Sequence, residues 1–203
     1  MVNDLNLCIS NGNSKIGNRV MNISLLPGVT CERGVPCFHD GCYAQSSVHR
    51  WSTVREAWTR NTEEYFKDPD RYFEIIEERI REKNPRFFRW HVGGDIPDYY
   101  YMWGVIEIAQ KFPKTRFLLF TKKYSYPPKS DLVPDNLKIV LSVWPGYPEP
   151  ERTDYPWAWL SEDVRLRYRK DEVYLKCVGS CEKCGMSCWK GLHKDIHVIF
   201  DKH

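Results

Sequence analysis

The first regular pattern in the chain is a short apolar run, Asn22-Ile23-Ser24-Leu25-Leu26, ended by Pro27-Gly28. It predicts a strand that leads into a loop from Thr30 to Ala44. From about Thr53 the spacing turns helical, with Val54, Ala57, Trp58, Asn61 and Tyr65 on one face, where only Asn61 interrupts the apolar stripe. Asp68-Pro69 supplies an N-cap and a proline at the first helical position, opening a second helix whose stripe is Tyr72, Phe73, Ile76 and Ile80. Phe87 to Val92 predicts a buried strand ending in Gly93-Gly94-Asp95. A helix from near Asp98 to Lys111 and strands over 116–121 and 138–143 follow.

The flanks are less regular. Residues 9–18 are rich in Gly, Asn and Ser and predict an irregular arm, and residues 144–160, rich in Pro and Trp, predict a lid or a long connection. Glu172 to Lys176 is a weak strand, a cysteine-rich loop occupies 177–188, and His197-Val198-Ile199-Phe200 is a last strand. Strand, helix, strand in this order predicts an α/β fold with parallel pairing and function at the carboxyl ends of the strands. The total of five or six strands is too few for a closed eight-stranded barrel. At 203 residues the chain is expected to form one domain, with an arm over 1–20, a core unit over 22–145 and a cysteine-rich region over 146–203.

Composition narrows the function classes. Eight Trp and twelve Tyr give material for a core and for a ring-lined pocket, while a formal charge of +3 spread among acidic residues gives no strong nucleic-acid footprint. Met1 to Cys8 has no basic-then-apolar leader, and no apolar run reaches the ~18 residues that span a bilayer. A soluble, cytoplasmic protein is expected, and in that reducing compartment grouped cysteines point to metal ligation or catalysis rather than disulfides.

Two cysteine groups carry the chemistry. Cys31-x5-Cys37-x4-Cys42, with Gly34 and Gly41 to let the loop wrap, offers three thiolates that could hold three irons of a cubane cluster and leave the fourth open. Zinc on the same three cysteines, completed by His39, is the alternative. Cys177-x3-Cys181-x2-Cys184-x3-Cys188 packs four thiols more closely than the usual paired zinc spacing, which favours an iron–sulfur cluster and leaves zinc as the alternative. Cys8 is left over and is read as an ordinary thiol.

The strand ends add candidate ligand contacts. Gly93 and Gly94 could admit a ligand close to the backbone and Asp95 could accept bonds from its ammonium, while Lys122 could hold a carboxylate and Ser142 a sugar hydroxyl. By period two, Arg89 and His91 share one face of their strand, where polar groups would need partners or a ligand. The run Tyr99-Tyr100-Tyr101-Met102-Trp103 is read as core and helix surface.

A three-cysteine loop after one strand, Gly-Gly-acid after the next and Ser after a later one resembles the radical S-adenosylmethionine (SAM) superfamily over roughly residues 22–145. More narrowly, Cys42-Tyr43-Ala44, Arg89-Trp90-His91-Val92-Gly93-Gly94-Asp95, Phe120-Thr121-Lys122-Lys123 and Cys188-Trp189 resemble the phage and bacterial "gene product eighty-eight" family. The resemblance implies a partial (β/α) barrel with a [4Fe-4S] cluster on Cys31, Cys37 and Cys42 and SAM chelated at the open iron. Gly93, Gly94 and Asp95 would meet the SAM amine, Ser142 the ribose and Lys122 the carboxylate, and Tyr43, Arg89 and His91 are further candidate cofactor-binding residues. One-electron cleavage to a 5′-deoxyadenosyl radical, a second cluster at Cys177 to Cys188, an electron donor such as flavodoxin or ferredoxin, and a peptide or nucleic-acid substrate complete what is implied. Within that superfamily the loop spacing is usually x3 then x2, an acid is usually Glu, and an aromatic usually precedes the third cysteine; here Asp95 and Gly41 stand at those places, with Phe38 and Tyr43 the nearest rings.

Overall fold

A computed structural model describes residues 7–13 and 15–202. Residues 1–6 of the segment read as lacking a leader, and Ser14 of the arm, lie outside the described residues. No described helix is long and apolar enough to cross a membrane.

Eight strands among the described residues form one sheet: β1 (Ser10–Asn11), β2 (Val20–Ile23), β3 (Phe87–Trp90), β4 (Arg116–Thr121), β5 (Leu137–Ser142), β6 (Trp157–Leu160), β7 (Val173–Lys176) and β8 (Ile196–Phe200). Their order is β1-β2-β3-β4-β5-β6-β8-β7, with β1 antiparallel to β2 and every other pair parallel. The sheet thus exceeds the expected five or six strands and is not shown as a closed barrel. Both additions sit where composition pointed away from regular structure. β1 is a two-residue edge in the Gly/Asn/Ser-rich arm, and β6 lies in the segment read as a lid or connection. All four residues of β6, Trp157-Ala158-Trp159-Leu160, are buried, so the sheet takes up the bulky rings of this Pro/Trp-rich stretch.

Helices α1 (Tyr43–Arg50), α2 (Ser52–Lys67), α3 (Pro69–Lys83), α4 (Tyr99–Lys111) and α5 (Ser187–Lys190) complete the fold. Asp68 caps α3 by accepting from the Arg71 amide at 3.0 Å with Pro69 at the first turn, and Asp98 caps α4 by accepting from the Tyr101 amide at 2.8 Å. The two-residue period of the strands sorts their side chains into two cores. Ile23, Phe88, Trp90, Phe117, Leu119, Ile139 and Trp159 meet Tyr65, Tyr72, Ile76, Tyr101 and Val105 of the long helices. Val20, Phe87, Leu118, Val140, Ala158 and Val198 meet Met186, Trp189 and Leu192 of the C-terminal segment. Each buried aliphatic side chain contributes about 1.5–3 kcal/mol of transfer free energy.

The second core is made by the connection between the parallel neighbours β7 and β8, which carries the late cysteines and α5. It is pinned by the Trp189 indole, which donates to the Phe88 carbonyl at 3.3 Å, and by the arm, whose Lys15 carbonyl accepts from the Cys181 amide at 2.9 Å. The arm read as irregular is therefore packed against the cysteine loop, with Ile16 buried in the same core.

Candidate metal centre

The parallel order brings the carboxyl ends of β2, β3, β4 and β5 to one rim. Polar side chains that sequence reading passed over hold that rim together. The Ser24 hydroxyl accepts from the Val92 and Gly93 amides at 3.0 and 3.3 Å, and the Thr30 hydroxyl accepts from the Asp95 amide at 3.1 Å. Thr62 of α2 accepts from the Leu26 amide at 2.8 Å. Asn61, the break in the apolar stripe, is fully buried because its amide donates to the Ser24 and Cys8 carbonyls at 3.0 and 3.1 Å, while its oxygen accepts from the Cys8 amide. A short side chain between two apolar runs was the only available signal for these roles.

On this rim lies the first cysteine loop. Cys31 follows the turn at Gly28, Cys37 sits in a 3-10 turn over Pro36–Phe38, and Cys42 is the N-cap residue of α1. Burial pushes the Cys31 thiol up to about 11, opposed by the Gly28 backbone amide directed at its sulfur. Burial also raises Cys37, opposed by the Lys122 ammonium, and both thiols feel Cys42 and Asp95. His39 is exposed, with its ring edge-on to Phe38 at 5.2 Å.

The three residues after β3 are committed to the protein itself. A Cβ on Gly93 would lie 2.2 Å from the Trp58 ring, and one on Gly94, at φ +79°, would lie 2.7 Å from the Leu25 carbonyl oxygen. The Asp95 carboxylate accepts from the Ile96 and Lys122 amides at 2.8 Å each and from the Thr121 hydroxyl; burial nevertheless holds its pKa above the ordinary value. Two other groups are uncommitted. The Lys122 ammonium makes no ion pair among the described residues and lies 5.5 Å from the Trp144 ring centroid, and the Ser142 hydroxyl makes no hydrogen bond among the described residues, its carbonyl accepting from Tyr124 at 2.8 Å.

Arg89 and His91 do not share a face. β3 ends at Trp90, and His91 takes a left-handed backbone at φ 58°, which turns its ring into the helix-side core, where Nε2 lies 3.0 Å from the Tyr101 hydroxyl. Its Nδ1 is buried without a hydrogen bond, and burial lowers its pKa to about 3. Arg89 stays on the opposite face. Its guanidinium carbon lies 4.1 Å from the Phe120 ring centroid and its Nε donates to the His91 carbonyl at 3.2 Å. Tyr43, which donates to the Val92 carbonyl, is within its electrostatic reach. Of the run from Tyr99 to Trp103, Tyr101 and Met102 are core, and Tyr99, Tyr100 and Trp103 are exposed.

The second cysteine group lies over the sheet face that Arg89 occupies. Cys177, Cys181 and Cys188 pack against the second core, and Cys181 and Cys188 feel Cys177 and Cys184. Burial pushes Cys181 up to about 11 and Cys188 up to about 12, with Arg89 opposing in each case. The Cys184 thiol donates to the Cys181 carbonyl at 3.3 Å.

Among the described residues no group of three or more His, Cys, Asp or Glu side chains is positioned to hold a metal ion. The donor set itself fits thiolate-bound centres. Seven of the eight free cysteines fall into two groups within which thiols interact, and a cation that makes no ion pair among the described residues faces each group, Lys122 the first and Arg89 the second. Metal binding would take these thiols as thiolates, against the burial that raises Cys31, Cys37, Cys181 and Cys188. Concavities of about 380 and 600 Å³ lie elsewhere; the first, lined by Glu149, Arg165, Arg169 and Glu172, is an ion-pair network whose charges satisfy one another.

Fold and site together describe a mostly parallel α/β protein with two cysteine-lined candidate metal centres. The Gene product 88 family model matches residues 6–187, and the chain belongs to that family. No curated protein and no solved structure matches it. The family match corrects the wider expectation: the radical SAM superfamily is a different grouping, and none of these comparisons places the chain in it. The motif that suggested it has another physical explanation here, since Gly93, Gly94 and Asp95 are required by Trp58, Leu25 and the Lys122 amide.

Proposed function

We propose that this protein is an iron–sulfur enzyme of the cell interior. Cys31, Cys37 and Cys42 hold a cluster with one open iron that binds SAM, and Cys177, Cys181, Cys184 and Cys188 hold an auxiliary centre. The observation that supports the reading is that Cys31 and Cys37 each lie within electrostatic reach of Cys42 and of the Lys122 ammonium, at the carboxyl ends of adjacent parallel strands. Three protein ligands leave a coordination position that four would fill. When bound, such a cluster supplies one electron for reductive cleavage of SAM to methionine and a 5′-deoxyadenosyl group that abstracts hydrogen from a substrate.

The chain's own residues bind and orient. Lys122 takes the ligand carboxylate and Ser142 donates to a sugar hydroxyl. The sheet, as part of an incomplete (β/α) barrel, holds both against the loop. Asp95, Gly93 and Gly94 set the rim's shape and do not meet the ligand.

The test is anaerobic incubation of reduced, reconstituted protein with SAM, followed by assay of 5′-deoxyadenosine. Release of the nucleoside that is lost in Cys37→Ala supports the reading. No SAM binding and no nucleoside would sink it in favour of a non-catalytic metal-bound adaptor for RNA or protein.

A further inference from the structure

We infer that Arg89, which shares Phe120 and one sheet face with Cys177, Cys181 and Cys188, is the built-in counter-cation of the second cysteine centre, a positioning residue for the negatively charged site those cysteines and Cys184 would form with a metal. This rests on the reading of those four cysteines as a metal centre.

The partly buried guanidinium sits on a sheet face whose other strand residues, among them Phe87, Leu118, Val140 and Val198, are apolar. Among the described residues it forms no ion pair with a carboxylate and donates one hydrogen bond, from Nε to the His91 carbonyl, and Phe120 covers one face. Beyond Tyr43, the groups that act on its charge most strongly are Cys181, Cys188 and Cys177, in that order. A cation removed from water without an anion is destabilising, and burial accordingly lowers the Arg89 pKa. Four thiolates on a divalent metal, or on a [4Fe-4S] cluster, carry a net negative charge that relieves that cost. Arginine suits the position because its delocalised charge stacks on Phe120 and stays protonated, where a buried lysine readily gives up its proton.

A merely structural arginine would matter equally with and without metal, so the proposal predicts an unequal effect. Full-length protein, Arg89→Met, Arg89→Lys and the Cys181→Ser/Cys184→Ser double variant are stripped of metal. Thermal melting is then recorded, and Zn²⁺ alone is titrated against a chromophoric chelator. Metal-free R89M is expected to melt no lower than metal-free wild type. Its Zn²⁺ affinity at the site lost in the cysteine double variant is expected to fall on the order of tenfold or more, with R89K, whose charge is less well held there, recovering only part of it. R89M that binds Zn²⁺ within about twofold of wild type, or that loses stability equally in both states, overturns the inference while leaving the metal site intact. Failure of metal-free R89M to fold while R89K folds also overturns it. Equal Zn²⁺ binding by wild type and the cysteine double variant removes the metal site itself, and the inference with it.

Discussion

The backbone amide of Lys122 donates to Asp95 Oδ2 at 2.8 Å, so the loop after β3 fixes the first residue after β4 and leaves the Lys122 ammonium without an ion pair among the described residues, within electrostatic reach of Cys31 and Cys37. Asp95 is thus spent on the protein's own amides. Asp95→Ala orphans the Ile96 and Lys122 amides together, and a loss of about 2–4 kcal/mol in urea unfolding is expected. Asp95→Asn, whose amide oxygen still accepts, should lose less.

Gly93 makes a separate claim about packing. A methyl group there would lie 2.2 Å from the Trp58 ring, so Gly93→Ala should cost about 1–3 kcal/mol by overpacking. Adding Trp58→Leu should return part of that loss. If the double variant is instead as unstable as the sum of the two single variants, the glycine is not there for Trp58.

His91 predicts a pH dependence. Burial first, then the charges of Arg89 and Lys123, hold its folded pKa at about 3, below the unfolded value of 6.5. The unfolded chain therefore binds the proton first, and stability present above about pH 6.5 is lost as pH falls toward 3. Relative to His91→Asn, which keeps a residue tolerant of the left-handed backbone, the wild type should lose about 1.4 kcal/mol more per pH unit between roughly pH 6 and pH 4. Parallel stability curves for the two proteins would show that His91 titrates normally.

Lys122 and Ser142 are predicted to act on the ligand and not on the metal. Lys122→Met should retain iron and sulfide at wild-type levels while weakening SAM binding on the order of tenfold. Ser142→Ala should weaken it by less. Binding assays beside iron analysis separate the two effects, and loss of iron in Lys122→Met would assign the lysine to loop folding instead.

Periodicity carried much of the fold. The strands over 116–121 and 138–143 and the helix opened by Asp68-Pro69 are where alternation and capping chemistry agree, and the structure has them within a residue or so. β6 was not legible because Pro and Trp composition imitates a connection, and its strand character comes from burial between β5 and β8. Alternation along β3 placed His91 with Arg89, but a positive φ at a non-glycine residue is set by tertiary contacts that the pattern does not encode. At the site, cysteine grouping was visible in spacing alone. The commitments of Gly93 to Trp58 and of Asn61 to Cys8 and Ser24 join residues 35, 53 and 37 positions apart, beyond any local signal.

The central claim is that both cysteine groups hold iron and sulfide, the first with an open position. The most direct test is anaerobic purification with iron, sulfide and zinc analysis, followed by electron paramagnetic resonance of the reduced protein before and after SAM. The account predicts about eight irons per chain, as two four-iron clusters require, with one signal shifted by SAM. Zinc without acid-labile sulfide, and no response to SAM, would contradict it.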